Sequence, residues 1–225
     1  MDENNRVEIK RISREQLHNN FGSYFIACLL SALLGIVAFA IASNISIIFD
    51  GTWNSFVLIL VISLLLVLAI YFYLYPLIEY GLIVMLRNIK NGVFQFSDLL
   101  SGFKANQGRI VGVNAVKTIC IFVGTLLMTV PGIYMSLAYQ FTTYILIEHP
   151  ELTIDEVLEM SSEMTKGYKF DLLLYGLSWF GWISVIVFTC GFGMAYVIPY
   201  MNIANLNVYE YFRDRINNES VSSDE

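Results

Sequence analysis

Charge is scarce in this 225-residue chain: Asp, Glu, Lys and Arg make up 14% of it. Residues 118–147 and 172–209 contain none of the four. A soluble domain carries about a quarter charged residues, so water is the wrong solvent for most of this sequence. Basic clusters are missing too, and the formal net charge is -6. That argues against a nucleic-acid partner, which is gripped through grouped Lys and Arg. Histidine occurs only as His18 and His149, far apart. No HExxH, GxSxG or GxxxxGK[ST] pattern occurs, so no metal pair, nucleophile elbow or phosphate loop is expected. We therefore expect no catalytic residue, no metal ligand and no cofactor, and read the chain as a non-enzyme. Cys28, Cys120 and Cys190 are widely spaced in apolar sequence. They are expected to be small buried hydrophobes, with no disulfide framework or CxxC site.

What is present is apolar: 56% hydrophobic residues and a mean hydropathy of +0.62. A helix over the uncharged residues 172–209 would be about 57 Å long, nearly twice the roughly 30 Å of bilayer hydrocarbon. It must fold back, and Gly191 and Gly193 supply the freedom in φ that a tight reversal needs. Residues 111–147 pose the same problem, with Pro131 and Gly132 near the middle as the expected outer turn. Apolar sequence from Trp53 runs on past Pro76, and is read as a membrane helix to Tyr75, a bend, and a cytoplasmic extension carrying Glu79. The run at 21–42 contains the small-x-small sequence Ala38-Phe39-Ala40. Its length and the acidic residues before it (Asp2, Glu3, Glu8, Glu15) mark a membrane span and not a cleaved signal.

The fold expected is an all-α membrane protein: six transmembrane helices arranged as three hairpins, with short interfacial cytoplasmic helices before them. The spans are 21–42, 53–75, 111–130, 133–147, 170–189 and 194–212, forming a membrane domain over 21–212. Residues 1–20 are a cytoplasmic amphipathic segment and 213–225 a cytoplasmic polar tail. Twelve of the thirteen Lys and Arg then fall on one side, with Lys117 close to it. By the positive-inside rule both termini are cytoplasmic in a multi-pass membrane protein.

Thr153-Ile154-Asp155-Glu156 reads as a capping box opening a cytoplasmic helix over 154–166. Ile154, Val157, Leu158, Ser161 and Met164 share one face, while Asp155, Glu159 and Glu163 line another. An acidic face is repelled by an anionic leaflet, so the apolar side should pack on protein and the acidic side is a candidate docking face. Glu79 and Lys117 are candidate polar sites at membrane depth, either paired or wetted at the interface. Asn202, Asn205 and Tyr209 project from about one face of the last helix, where they either bond across helices or line a polar cavity. Glu148, His149 and Glu151 read as a solvated loop end.

A run of motifs resembles a known family. Pro131-Gly132-Ile133, Tyr144-Ile145-Leu146, Pro150-Glu151-Leu152, Lys166-Gly167-Tyr168-Lys169, Gly181-Trp182, Gly191-Phe192-Gly193, Pro199-Tyr200 and Tyr211-Phe212 occur in the order and spacing of the domain-of-unknown-function 975 family of bacterial multi-pass membrane proteins. Leu99 to Lys104 also fits, so the likeness covers about residues 76–212. The resemblance implies a bacterial cytoplasmic membrane protein and brings no activity with it. The expected role is a structural or accessory component of a membrane or export system, with the bilayer and a membrane protein as partners. The rival is a small transporter or a self-protection protein against a membrane-active compound.

Overall fold

A computed structural model describes residues 3–43, 57–58, 61–62, 64–65, 68–189 and 191–223. Among these residues the regular structure is entirely helical. The elements used below are α1 (Glu3–Asn19), α2 (Phe21–Ser43), α3 (Tyr75–Lys90), α4 (Ser101–Lys104), α5 (Gln107–Leu127), α6 (Thr129–Ala138), α7 (Thr142–Glu148), α8 (Ile154–Met164), α9 (Lys169–Leu177), α10 (Phe180–Phe188) and α11 (Met194–Ser223).

Three helices among the described residues are long and apolar enough to cross a membrane, where six spans are expected from the sequence: Ile70–Lys90, Gln107–Leu127 and Lys169–Phe188. Nine of the 23 residues of the expected span 53–75 lie outside the described residues, as does Cys190 of the last expected turn. The expected span 133–147 is divided between α6 and α7 by a break at Tyr139–Phe141. The last helix does not stop at 212 but runs to Ser223, and its apolar half is interrupted by Asn202, Asn205, Asn207 and Glu210.

The helix does not stop at Tyr75 as expected. Pro76 sits directly after a π-helical turn at Ile70–Leu74, where the irregular hydrogen bonding of the widened turn accommodates its missing N–H. The helix is thus continuous over Ile70–Lys90, and Glu79 lies near its middle instead of on an extension beyond it.

The reversal expected at Pro131-Gly132 falls earlier. Met128 alone is extended, with φ -165° and ψ 154°, between α5 and α6. Pro131 belongs to the first turn of α6, and Gly132 is needed for proximity and not for its φ. A β-carbon there would stand 2.1 Å from the Thr125 hydroxyl oxygen, so glycine lets α6 fold back against α5. At the next reversal Gly191 does take the left-handed conformation, with φ 93°. Gly193 instead makes room for Thr189, whose hydroxyl accepts from the Gly193 N–H at 2.8 Å.

Helices form before the expected hairpins. In α1, Ile9, Ser13 and Leu17 recur every fourth residue and are buried, while Arg11 pairs with Glu8 and Glu15 on the solvent side. The capping box at Thr153 is complete: its hydroxyl accepts from the Glu156 N–H, and the Glu156 carboxylate accepts from the Thr153 N–H at 2.7 Å. Val157, Leu158, Ser161 and Met164 are buried. Ser161 donates to the Ala138 carbonyl at 2.7 Å, satisfying a group that the end of α6 leaves free. Gly167, at φ 81°, ends this unit as expected.

Large apolar side chains are exposed at the two reversals: Leu126, Leu127, Met128 and Val130 at one, and Phe188 (87% exposed) and Phe192 (86%) at the other. Such tips are at home in lipid and not in water. Away from them, aromatic rings fill the core, with Tyr144 stacked on Tyr209 at 5.0 Å and Trp179 edge-on to Tyr200 at 5.0 Å.

Candidate functional site

Two polar constructions meet along α11. The first surrounds Glu148, at the end of α7, whose side chain is only 11% exposed. Arg87 of α3 donates to its Oε1 at 2.6 Å, Arg213 of α11 to the same oxygen at 2.7 Å, and the Tyr209 hydroxyl to Oε2 at 2.7 Å. Burial works against the charged carboxylate, but the bonds from Tyr209 and Arg213 and the two guanidinium charges win, holding Glu148 below its ordinary range. The solvated loop end expected from the sequence is thus corrected for Glu148. His149 and Glu151, 3.2 Å apart, do face water. One turn away Lys90 pairs with Glu210 and donates to the Asn207 side chain at 2.7 Å. Asn207 in turn donates to Ser13 at 2.8 Å and Gln16 at 2.9 Å, tying α1 to α3 and α11.

The second construction is a cavity of about 690 Å³ bounded by α2, Ile70–Lys90, the break between α6 and α7, α9 and α11. Glu79 enters from α3, Asn202 and Asn205 from α11, and Gln140 from the break. Aromatic residues make up much of the wall: Tyr71, Tyr75, Phe141, Tyr144 and Tyr175. The rest is aliphatic, including Leu74, Ile78 and Leu82. Asn202 donates to the Cys28 sulfur at 3.5 Å, and Asn205 accepts from the Tyr175 hydroxyl at 3.1 Å. These two asparagines therefore both bond across helices and line the cavity. Tyr209, on the same face of α11, is turned toward Glu148.

Glu79 and Lys117 come together only loosely. The lysine acts on the carboxylate electrostatically, yet no ion pair within 4.0 Å joins them. Glu79 is half-buried, and the Gln140 side-chain N–H group is buried without a partner. Asp155, Glu159 and Glu163 lie exposed along α8 and belong to neither construction. Pro131, Gly132, Gly191 and Gly193 lie at the reversals, remote from either.

Sequence reading missed the clamp of Arg87, Glu148 and Arg213 and the cavity role of Gln140. Arg87 and Arg213 are separated from Glu148 by 61 and 65 positions, and no helical spacing links them. The density of aromatics between Phe141 and Tyr144 was the available signal for the cavity wall.

Residues 107–216 match the family described as "Protein of unknown function (DUF975)". No curated protein matches the chain. No solved structure matches it. The matched stretch contains Glu148, Asn202, Asn205 and Arg213, and stops short of Glu79 and Arg87.

Proposed function

We propose, from the membership of residues 107–216 in the DUF975 family and from the cavity that these residues help to build, that the chain is a multi-pass protein of the bacterial cytoplasmic membrane that works by binding a lipid-like molecule within the bilayer and not by catalysis. Six passes in three hairpins, with both termini cytoplasmic, agree with the one-sided distribution of Lys and Arg and with the exposed apolar tips at Met128 and Phe192. The observation that carries the reading is the cavity of about 690 Å³. Pockets of roughly 300–1,000 Å³, mostly apolar with a few convergent polar groups, are where proteins hold small molecules. Glu79, Asn202 and Asn205 are such groups. A carboxylate without an ion-pair partner at this depth is costly, and that cost points to use.

The Glu148 clamp fits a supporting role. It fastens α3, α7 and α11, three elements that also contribute to the cavity wall.

The test is to purify the chain from its native membrane and extract what it retains. We expect about one amphiphile per chain in the wild type and its loss in Leu82→Trp, which fills the cavity without adding charge. A wild type that retains nothing above the bulk lipid ratio overturns the reading.

One observation favours a second role, as an accessory component of a membrane assembly. The exposed face of Asp155, Glu159 and Glu163 is held on a capped helix whose other side is spent on the fold. A basic partner surface would fit it.

A further inference from the structure

We infer that the cavity is built for an amphiphile with a cationic head, an alkylamine or alkylammonium whose charge is held by Glu79 and the surrounding aromatic rings. The inference rests on the binding reading above and adds the chemistry of the ligand.

The first argument is charge. Glu79 lines the cavity, and no Lys or Arg is among the described residues that do so. An anionic head would meet the carboxylate with nothing to offset it. A cationic head supplies the counter-charge that a neutral head cannot. Lys117 does not fill the role, since it remains outside ion-pair distance and outside the lining.

The second argument is the wall. Tyr75 lies one turn and Tyr71 two turns before Glu79, stacked 5.9 Å apart, and Tyr144 and Tyr175 line the same cavity from α7 and α9. Aromatic faces are negative at their centres, and a carboxylate among several rings is the arrangement that selects ammonium groups over neutral ones of equal size. The fold already uses this preference nearby: the Lys10 ammonium lies 4.7 Å from the Trp179 ring centre and 5.6 Å from that of Tyr175. Leu74, Ile78 and Leu82 extend the lining along α3 and provide apolar surface for a chain.

The experiment uses the full chain in nanodiscs of phosphatidylcholine, which carries no net charge. Radiolabelled hexadecyltrimethylammonium and radiolabelled hexadecanol share a tail and differ in the head, and binding is taken as the excess over protein-free discs. The wild type should hold the cation about tenfold more tightly than the alcohol, the scale of one well-placed charge contact. Glu79→Gln should bring the two within about twofold, while Glu79→Asp, which keeps the charge, should keep most of the preference and show that the position tolerates change. Equal binding of both probes to the wild type, or a preference that survives Glu79→Gln, overturns the inference. Leu82→Trp separates the two levels. If it abolishes binding of both probes while the wild type prefers neither, only the head chemistry is wrong; if both probes still bind to it, the cavity itself is not the site and both readings fall.

Discussion

Gly81 and Leu99 stand backbone to backbone: a β-carbon on Gly81 would lie 2.0 Å from the Leu99 carbonyl oxygen. The contact is reciprocated, because a β-carbon on Gly102 would lie 2.1 Å from the carbonyl oxygen of Leu77. Two glycines, one on each element, thus seat the segment 96–104 on α3 at a separation that no side chain permits. The obstacle in each case is main chain, which cannot rotate away. We expect Gly81→Ala and Gly102→Ala each to destabilise the protein by about 3 kcal/mol, the upper part of the overpacking range. Gly176, inside α9 with open space around it, is the control. Alanine there should stabilise by about 0.5 kcal/mol through helix propensity alone. Thermal unfolding of the three variants in one detergent separates the effects.

Glu148 gives the clearest pH dependence. Its carboxyl is held below the ordinary value of 4.5 despite burial, by bonds from Tyr209 and Arg213 and by the charges of Arg213 and Arg87. A carboxylate with a depressed folded-state pKa contributes stability that is complete above the unfolded value and disappears as pH falls through the folded one. Melting temperature should therefore drop as pH falls below the ordinary value of 4.5. In Glu148→Gln the neutral protein should already be weaker by about 3 kcal/mol, since two guanidiniums lose their counter-charge, and this part of the acid dependence should vanish. Equal acid slopes in wild type and variant would count against the clamp.

The helical class, the α5–α6 and α10–α11 reversals and the capped helix α8 were legible because each depends on neighbours in the chain. A thirty-residue uncharged run has to turn somewhere, and Thr153 with Glu156 caps a helix whatever lies around it. The exact turn at Met128 was not legible, because Pro131 and Gly132 carry a turn signal that also suits the first turn of a helix pressed on its neighbour. Nor was the unbroken passage through Pro76, which a π turn makes compatible with a helix. At the candidate site, the face shared by Asn202, Asn205 and Tyr209 could be read from spacing. The clamp could not, since Arg87, Glu148 and Arg213 meet only when α3, α7 and α11 are packed.

Asn205 can be tested as a bond partner separately from its place in the cavity. The Tyr175 hydroxyl donates to its Oδ1 at 3.1 Å, and both side chains line the cavity. Asn205→Leu leaves a tyrosine hydroxyl short of its acceptor, and we expect a loss of about 1–2 kcal/mol. Tyr175→Phe added to it should restore most of that loss, because no polar group then remains to be satisfied. Asn202→Leu should cost less, since its partner is the weak acceptor Cys28 at 3.5 Å. Unfolding midpoints of the two single variants and the double variant provide the cycle.

The helix α8 allows structure and docking to be pulled apart on one element. Thr153→Ala removes the side-chain half of the capping box, so we expect about 1 kcal/mol of destabilisation and no change in what the protein contacts. Reversing Asp155, Glu159 and Glu163 to lysine touches only exposed positions. It removes acidic charge from the first turn at Asp155, a small loss, and leaves the packing of Val157, Leu158 and Met164 intact. Stability should change little. If the face docks a basic partner, cross-linking in native membranes should yield a specific adduct in the wild type and in Thr153→Ala that the triple reversal loses. The same set of adducts in all three would assign the acidic residues to solvation alone, since an unaltered fold with reversed charge cannot keep an electrostatic partner.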